Sequence, residues 1–301
     1  MSRGAGGRLP ADPSCIEENY IVHSCGRPAA GSWAATVANS VQSHRGMSEI
    51  SARPEGALLD RRDLVLDYVG HIWDPGVVTM TRTGKRATKE QRAAYEHLGS
   101  RGDSLARWVR STGPIDAYET HLPVEVHGPL EWLSFTVASR QLSRATASAI
   151  YTRLVAQLGG AITAERVVTA DERTLRGAGL SHQKATAIRG LAEHADDGLL
   201  DPGGLAAMSD AEIRTKLVAV AGIGPSTAQM FMLRYLRRPD IFPAGDLAVR
   251  SAITTFDRLD RRITPKAAER RSEPWRPYRS YATSYLWGYL WEQHGDLKDP
   301  A

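Results

Sequence analysis

The chain has 301 residues, 42% of them hydrophobic, enough for one large or two modest domains with a core that needs no covalent staples. Lys plus Arg number 38 against 34 Asp plus Glu, a net charge of +4 that permits a polyanionic partner without demonstrating one. The two cysteines, Cys15 and Cys25, form neither a disulfide framework nor a metal-ligand spacing, and no apolar run approaches the roughly 18 residues of a membrane span. With no apolar signal core at the N-terminus, the expectation is a soluble cytoplasmic protein with no membrane partner.

Residues 1–62 are rich in Gly, Ala, Ser, Pro and Arg, hold no sustained period, and read as a disordered or loosely structured tail in which Met47 is an alternative start. Residues 63–101 are an N-terminal extension: apolar residues return between Leu64 and Met80, while Lys85–Arg92 reads as charged and exposed. From about residue 102 to 295 one helical segment follows another, and 296–301 form a C-terminal tail. Leu130–Ser139 is almost wholly apolar and predicts a central helix. Ser143 is placed to cap the next helix, which Gly159-Gly160 ends. Thr169-Ala-Asp-Glu172 reads as a capping box, Ser181 as the start of a further helix, and Ser209-Asp-Ala-Glu212 as a second box. With many caps and few alternating patterns, the fold class expected is all-α.

Leu217–Arg250 carries the densest chemistry. Gly222 and Gly224 allow positive φ in a tight hairpin, and Pro225 suits the first turn of the helix that follows. The next amides, with the Ser226 and Thr227 hydroxyls, would face outward at the positive end of a helix and suit a phosphate. Asp246, after the loop Phe242-Pro243-Ala244-Gly245, is placed to cap another helix, which would hold it as a permanent anion. It could also pair with Arg250. Gly179-Leu180-x-x-x-x-Ala185 echoes Gly222-Ile223-x-x-x-x-Ala228, implying similar helix-turn-helix geometry at both places. Basic residues gather from Arg258 to Arg279 and could add phosphate contacts.

GIGPSTA followed by FPAGDLAVR resembles the helix-hairpin-helix (HhH-GPD) base-excision DNA glycosylases, in particular their 3-methyladenine DNA glycosylase II branch. Three more stretches carry the resemblance in order: Ser139-Arg140-Gln141-Leu142-Ser143, Gly179–Ala185, and Trp275–Ala282 continuing to Leu286-Trp287. It covers about two thirds of the chain and implies two helical subdomains with the active-site cleft between them. It further implies a monomer acting on double-stranded DNA that carries a damaged base. A base, most plausibly an alkylated one such as 3-methyladenine, would be flipped out and its N-glycosidic bond hydrolysed. Asp246 matches the catalytic carboxylate. Gln141, Leu142 (the wedge), Ser143, Gly222, Gly224, Ser226 and Thr227 match DNA contacts, and Ser226, Met230 and Trp287 match base-pocket positions.

Ser226 stands where bifunctional relatives carry a Schiff-base lysine, so no β-lyase activity is expected. The four-cysteine pattern of an iron–sulfur cluster does not follow the domain, and no cofactor is required. Relatives imply a Na+ or K+ ion on hairpin carbonyls, here those of Val220 and Ile223. The chain departs from the pattern at Arg140, where a glutamine is common, and at Ser226 and Met230, where the best-known member has aromatic rings. Two alternatives follow: the same fold acting on a different lesion, or a non-catalytic protein that binds damaged DNA.

Overall fold

The computed structural model describes Thr83 and residues 87–119 and 122–294. The expectations for the tail, for both cysteines, for the Leu64–Met80 elements and for residues 296–301 lie outside the described residues. Among those described, thirteen α-helices and no β-ladder form one continuous hydrophobic core. The helices are α1 (Lys89–Gly99), α2 (Ser104–Thr112), α3 (Pro129–Ser139), α4 (Arg144–Gln157), α5 (Ala164–Thr169), α6 (Glu172–Gly177), α7 (His182–Asp196), α8 (Pro202–Ala207), α9 (Asp210–Ala219), α10 (Pro225–Met230), α11 (Leu247–Phe256), α12 (Pro265–Ser272) and α13 (Arg279–His294).

The expected start of the helical domain at residue 102 is too late. Thr88 and Gln91 exchange side-chain and backbone bonds in a capping box that opens α1, and Ala94 and Leu98 of that helix enter the core. Glu90 accepts bonds from the Tyr118 and Tyr281 hydroxyls at 2.8 and 3.0 Å, tying α1 to the last helix. The charged look of Lys85–Arg92 conceals a helix start with one buried face.

Two groups of helices result. α1 and α2 pack on each other, α13 packs on α2 and α11, and α12 rests on α11. The second group centres on α3, which contacts α4, α7 and α10, with α5 and α6 against α7 and α9 against α10. Ser143, Ser181 and Ser209 cap α4, α7 and α9 as expected. Thr169 does not cap: it ends α5 and bonds back to the Glu165 carbonyl, while Asp171 caps α6 through the Thr174 amide at 2.6 Å. A carboxylate two residues nearer the helix serves that cap better than the threonine.

The hairpin between α9 and α10 requires glycine at one position. Gly222 has φ +82°, and a Cβ there would lie 2.7 Å from the Ala187 Cβ on α7. Gly224, expected to share that need, has φ −89° and open space around it. The echoed Gly179 has φ +106° before α7, so both helix-turn-helix junctions use a left-handed residue in the same place. Past α10 the helix widens into a π turn over Phe231–Tyr235.

Candidate active site

The loop from Pro239 to Asp246 is pinned from both helix groups. On one side the Gln229 Nε2 donates to the Phe242 carbonyl at 3.1 Å. On the other, the Ile241 amide donates to the Ser280 Oγ at 3.0 Å, and Phe242 meets the Trp275 ring edge-on at 5.8 Å. The Asp246 amide closes a turn on the Pro243 carbonyl at 2.8 Å. The Trp275–Ala282 stretch thus acts as a bracket for the loop. Asp246 caps α11 by accepting from the Val249 amide at 2.8 Å, and its Oδ1 also accepts from the Trp287 Nε1 at 3.2 Å.

Burial pushes the Asp246 carboxyl above the usual carboxylate range, against the lowering effect of the Val249, Trp287 and Ala248 hydrogen bonds and of the Arg250 charge. This corrects the expectation that its cap bonds alone keep it a permanent anion: desolvation outweighs the cap bonds. The expected ion pair to Arg250 does not form either. Arg250 turns its Nη1 to the Ile263 carbonyl at 3.3 Å.

Asp246 opens onto a cavity of about 1040 Å³ where the two helix groups meet. Its walls come from the α3–α4 junction, the start of α7, the hairpin with α10, and the Asp246 loop. Of the residues expected at the site, Gln141, Leu142, Ser143, Gly222, Ser226, Thr227 and Met230 all line it. Gln141 is exposed with φ +59°, a strained backbone for a residue with a side chain, and half-buried Leu142 follows it. Ser226 is exposed, but Thr227 is drawn inward to 7% exposure, its hydroxyl accepting from the Arg140 Nη2 at 2.7 Å. The expectation that both hydroxyls face outward therefore holds for Ser226 alone.

Trp287 is the other displaced residue. It is 5% exposed and absent from the cavity wall, screened by the residues that contact it: Asp246 at its ring nitrogen and Arg234 over its face, 4.7 Å from the ring centroid. It supports the carboxylate instead of walling a base. Aromatic surface in the cavity comes from Trp132 and Phe135 on α3, which an almost wholly apolar helix had made look like ordinary core. Trp132 is braced by Phe231 and Tyr235 at 5.7 and 6.1 Å.

Two more residues were not singled out for what they do here. Arg140 reaches across to the hairpin, donating from Nη1 to the Gly222 carbonyl at 2.8 Å. Lys184 on α7 donates to the carbonyls of Ala138 and Arg140 at 2.9 and 2.7 Å. Burial lowers the pKa of both, and the neighbouring Arg140 charge lowers Lys184 further. The Val220 carbonyl, named for a cation, already accepts from the Ile223 amide at 3.0 Å. The Arg140 charge at the adjacent Gly222 carbonyl works against a second cation, so the hairpin fits a metal ion poorly.

The basic stretch from Arg258 to Arg279 does not reach the cavity. Arg271 pairs with Asp257 and Asp103 at 2.8 and 3.1 Å, Arg276 with Glu273 at 2.9 Å and with Asp240, and Arg279 with Asp240 and Glu269 at 2.8 and 3.0 Å. These three guanidiniums brace the fold; Arg258, Arg261, Arg262, Lys266 and Arg270 remain exposed.

Residues 135–277 match the HhH-GPD superfamily of base excision DNA repair proteins. The DNA-3-methyladenine glycosylase 1 of Schizosaccharomyces pombe is 31% identical over 183 residues, covering 60% of this chain and 80% of that protein. The structure of an S. pombe 3-methyladenine DNA glycosylase in complex with abasic DNA superposes with a TM-score of 0.56 at 29% identity, over 69% of this chain and 99% of the other. A DNA-3-methyladenine glycosidase from Bacillus halodurans gives a TM-score of 0.59 at 27% identity, over 70% of this chain and 91% of the other. With the hairpin, the capped aspartate and the cavity between them in the order of that fold, the chain belongs to the HhH-GPD superfamily of base-excision DNA repair proteins, among the DNA-3-methyladenine glycosylases.

Proposed function

We propose that the chain is a monofunctional DNA glycosylase that flips a damaged, alkylated base into the cavity and hydrolyses its N-glycosidic bond. The observation that carries this reading is the carboxylate of Asp246, held by an amide and an indole N–H at the mouth of a cavity of nucleotide size. A carboxylate among so many apolar walls is poorly placed to bind an anionic strand for its own sake. It is well placed to stabilise positive charge developing at a sugar C1′ and to orient a water towards it.

The remaining roles follow from exposure and charge. The exposed turn Ala221–Ser226 offers backbone amides at a helix start to one DNA phosphate, with Gly222, Gly224 and the Ser226 hydroxyl beside it. Gln141, Leu142 and Ser143 form the intruding loop, Leu142 filling the stack that the flipped base leaves. Ser226, Met230, Trp132 and Phe135 surround the base. Ser226 cannot form a Schiff base, so the sugar–phosphate strand is left uncut. The partner is damaged double-stranded DNA, bound by a monomer, and no step is routed through a metal ion.

The test uses methylated duplex DNA with the wild-type chain and Asp246→Asn. Asparagine keeps the cap and the space but not the charge, so base release is expected to fall by about 100-fold or more, with DNA binding retained. The wild type is expected to release free base and leave the strand intact until alkali is added. Equal release by both proteins would refute the role of Asp246; strand cleavage without alkali would refute simple hydrolysis.

A further inference from the structure

The reaction above makes no use of Arg234, a cation in the cavity wall that is only 6% exposed. It sits on the π turn after α10 and donates from Nη1 to the carbonyls of Ala117 and Glu119 at 2.7 and 3.2 Å. Its Nε and Nη2 have neither a hydrogen-bond partner nor solvent. Among the described residues no carboxylate lies within ion-pair distance of it. Its guanidinium covers the face of the same indole whose nitrogen holds Asp246. Burial lowers its pKa to about 10, with Asp116 acting the other way, so it remains charged at neutral pH. A buried and unneutralised charge is costly to keep and acts over several ångströms in such surroundings.

A fixed positive charge in that wall treats two classes of damaged base differently. When the glycosidic bond breaks, its electron pair stays with the base. A base that was uncharged departs with developing negative charge, whereas a base made cationic by ring alkylation departs neutral. We propose that Arg234 tunes the cavity towards uncharged damaged bases and against cationic ones, by stabilising the first as they leave and repelling the second as they enter. Trp132 and Phe135 offer either class a stacking surface, and Ser226 and Met230 add no ring that would favour a cation. In the balanced step, water oxygen bonds to C1′ as the sugar–base bond breaks. One water proton passes to the Asp246 carboxylate and then to the departing base, leaving a hydroxyl on the sugar and a neutral free base.

This inference rests on the glycosylase reading and deepens it, and the experiment separates the two. Duplexes carrying either 1,N6-ethenoadenine, which is uncharged, or 7-methylguanine, which is cationic, are given in single-turnover excess of enzyme to the wild type, Arg234→Gln and Arg234→Lys. Each rate is divided by the spontaneous loss from the same duplex. Gln removes the charge while keeping a donor for the Ala117 carbonyl, and Lys keeps both. The Gln variant is expected to lower the ratio of ethenoadenine to 7-methylguanine enhancement by about tenfold or more, with the 7-methylguanine rate rising, while Lys stays within about threefold of wild type. Equal shifts in both variants, or a shift in neither, overturn the inference. So does a wild type that accelerates 7-methylguanine release alone, a result that needs no variant to fold and leaves the glycosylase reading standing. A wild type that releases neither base overturns the glycosylase reading along with this one.

Discussion

The bond from Trp287 to Asp246 gives the site its most telling perturbation, Trp287→Phe. The phenyl ring still lies beneath the Arg234 guanidinium and fills most of the buried space, but the Nε1–H donor is lost. At 3.2 Å that bond is longer than the usual N–H···O separation, so the lower end of the range for hydrogen bonds to charged groups applies, about 1.5 kcal/mol. If the bond fixes the carboxylate beneath C1′, the rate of base release at neutral pH should fall by about tenfold with DNA affinity little changed. The pH dependence should move too. Burial already raises the Asp246 pKa and the Trp287 bond opposes that rise, so its loss raises the pKa further and shifts the acid limb of the rate profile to higher pH.

The sign for stability follows from the same shift. A carboxyl that binds its proton more tightly folded than unfolded favours the fold below its unfolded pKa, and that contribution is lost as pH rises through the higher folded value. The variant should therefore lose stability relative to wild type across that window as pH rises. Single-turnover base release between pH 5 and 8, with thermal unfolding over the same range, reads both effects. A variant with an unmoved acid limb and an unchanged rate would show that the indole neither orients nor tunes Asp246.

Gly222→Ala places a left-handed backbone under a Cβ that meets Ala187 at 2.7 Å, and the strain and overlap together should cost about 2–4 kcal/mol. Thermal unfolding should fall by roughly 4–12 °C, and a shift under about 2 °C would mean that the hairpin moves off α7 without penalty. Thr88→Ala removes one half of the capping box on α1 and should cost about 1 kcal/mol, roughly 2–4 °C. No change in the single unfolding transition would place α1 outside the cooperative unit.

Contacts of short sequence range were legible before the fold was known. The caps at Ser143, Ser181, Ser209 and Asp246 rest on one side chain and an amide three residues on, and each forms as expected. Thr88 escaped because Lys89, Glu90 and Arg92 made its surroundings read as surface, although Gln91 in the fourth place of the box was the available signal. Trp132 and Phe135 escaped because an apolar helix without a polar face does not say which ring borders a cavity. Arg234 and Trp287 depend on the π turn and on contacts more than forty residues apart, and no local pattern encodes either. The ion pairs that engage Arg271 and Arg279 are likewise matters of tertiary placement, which is why a run of basic residues read as a surface for DNA.

Lys184, Arg140 and the hairpin form a single train of parts. Lys184 holds the backbone on both sides of Ser139, and Arg140 passes that restraint on to the Gly222 carbonyl and the Thr227 hydroxyl. The intruding loop and the phosphate-facing turn are therefore geared together: a strand that presses on one displaces the other. Among the described residues neither cation has a carboxylate counterion, so the train stays electrostatically open until a phosphodiester arrives. Docking the backbone and driving Leu142 into the duplex then become two ends of one movement, with intact DNA resisting the second end harder than damaged DNA does.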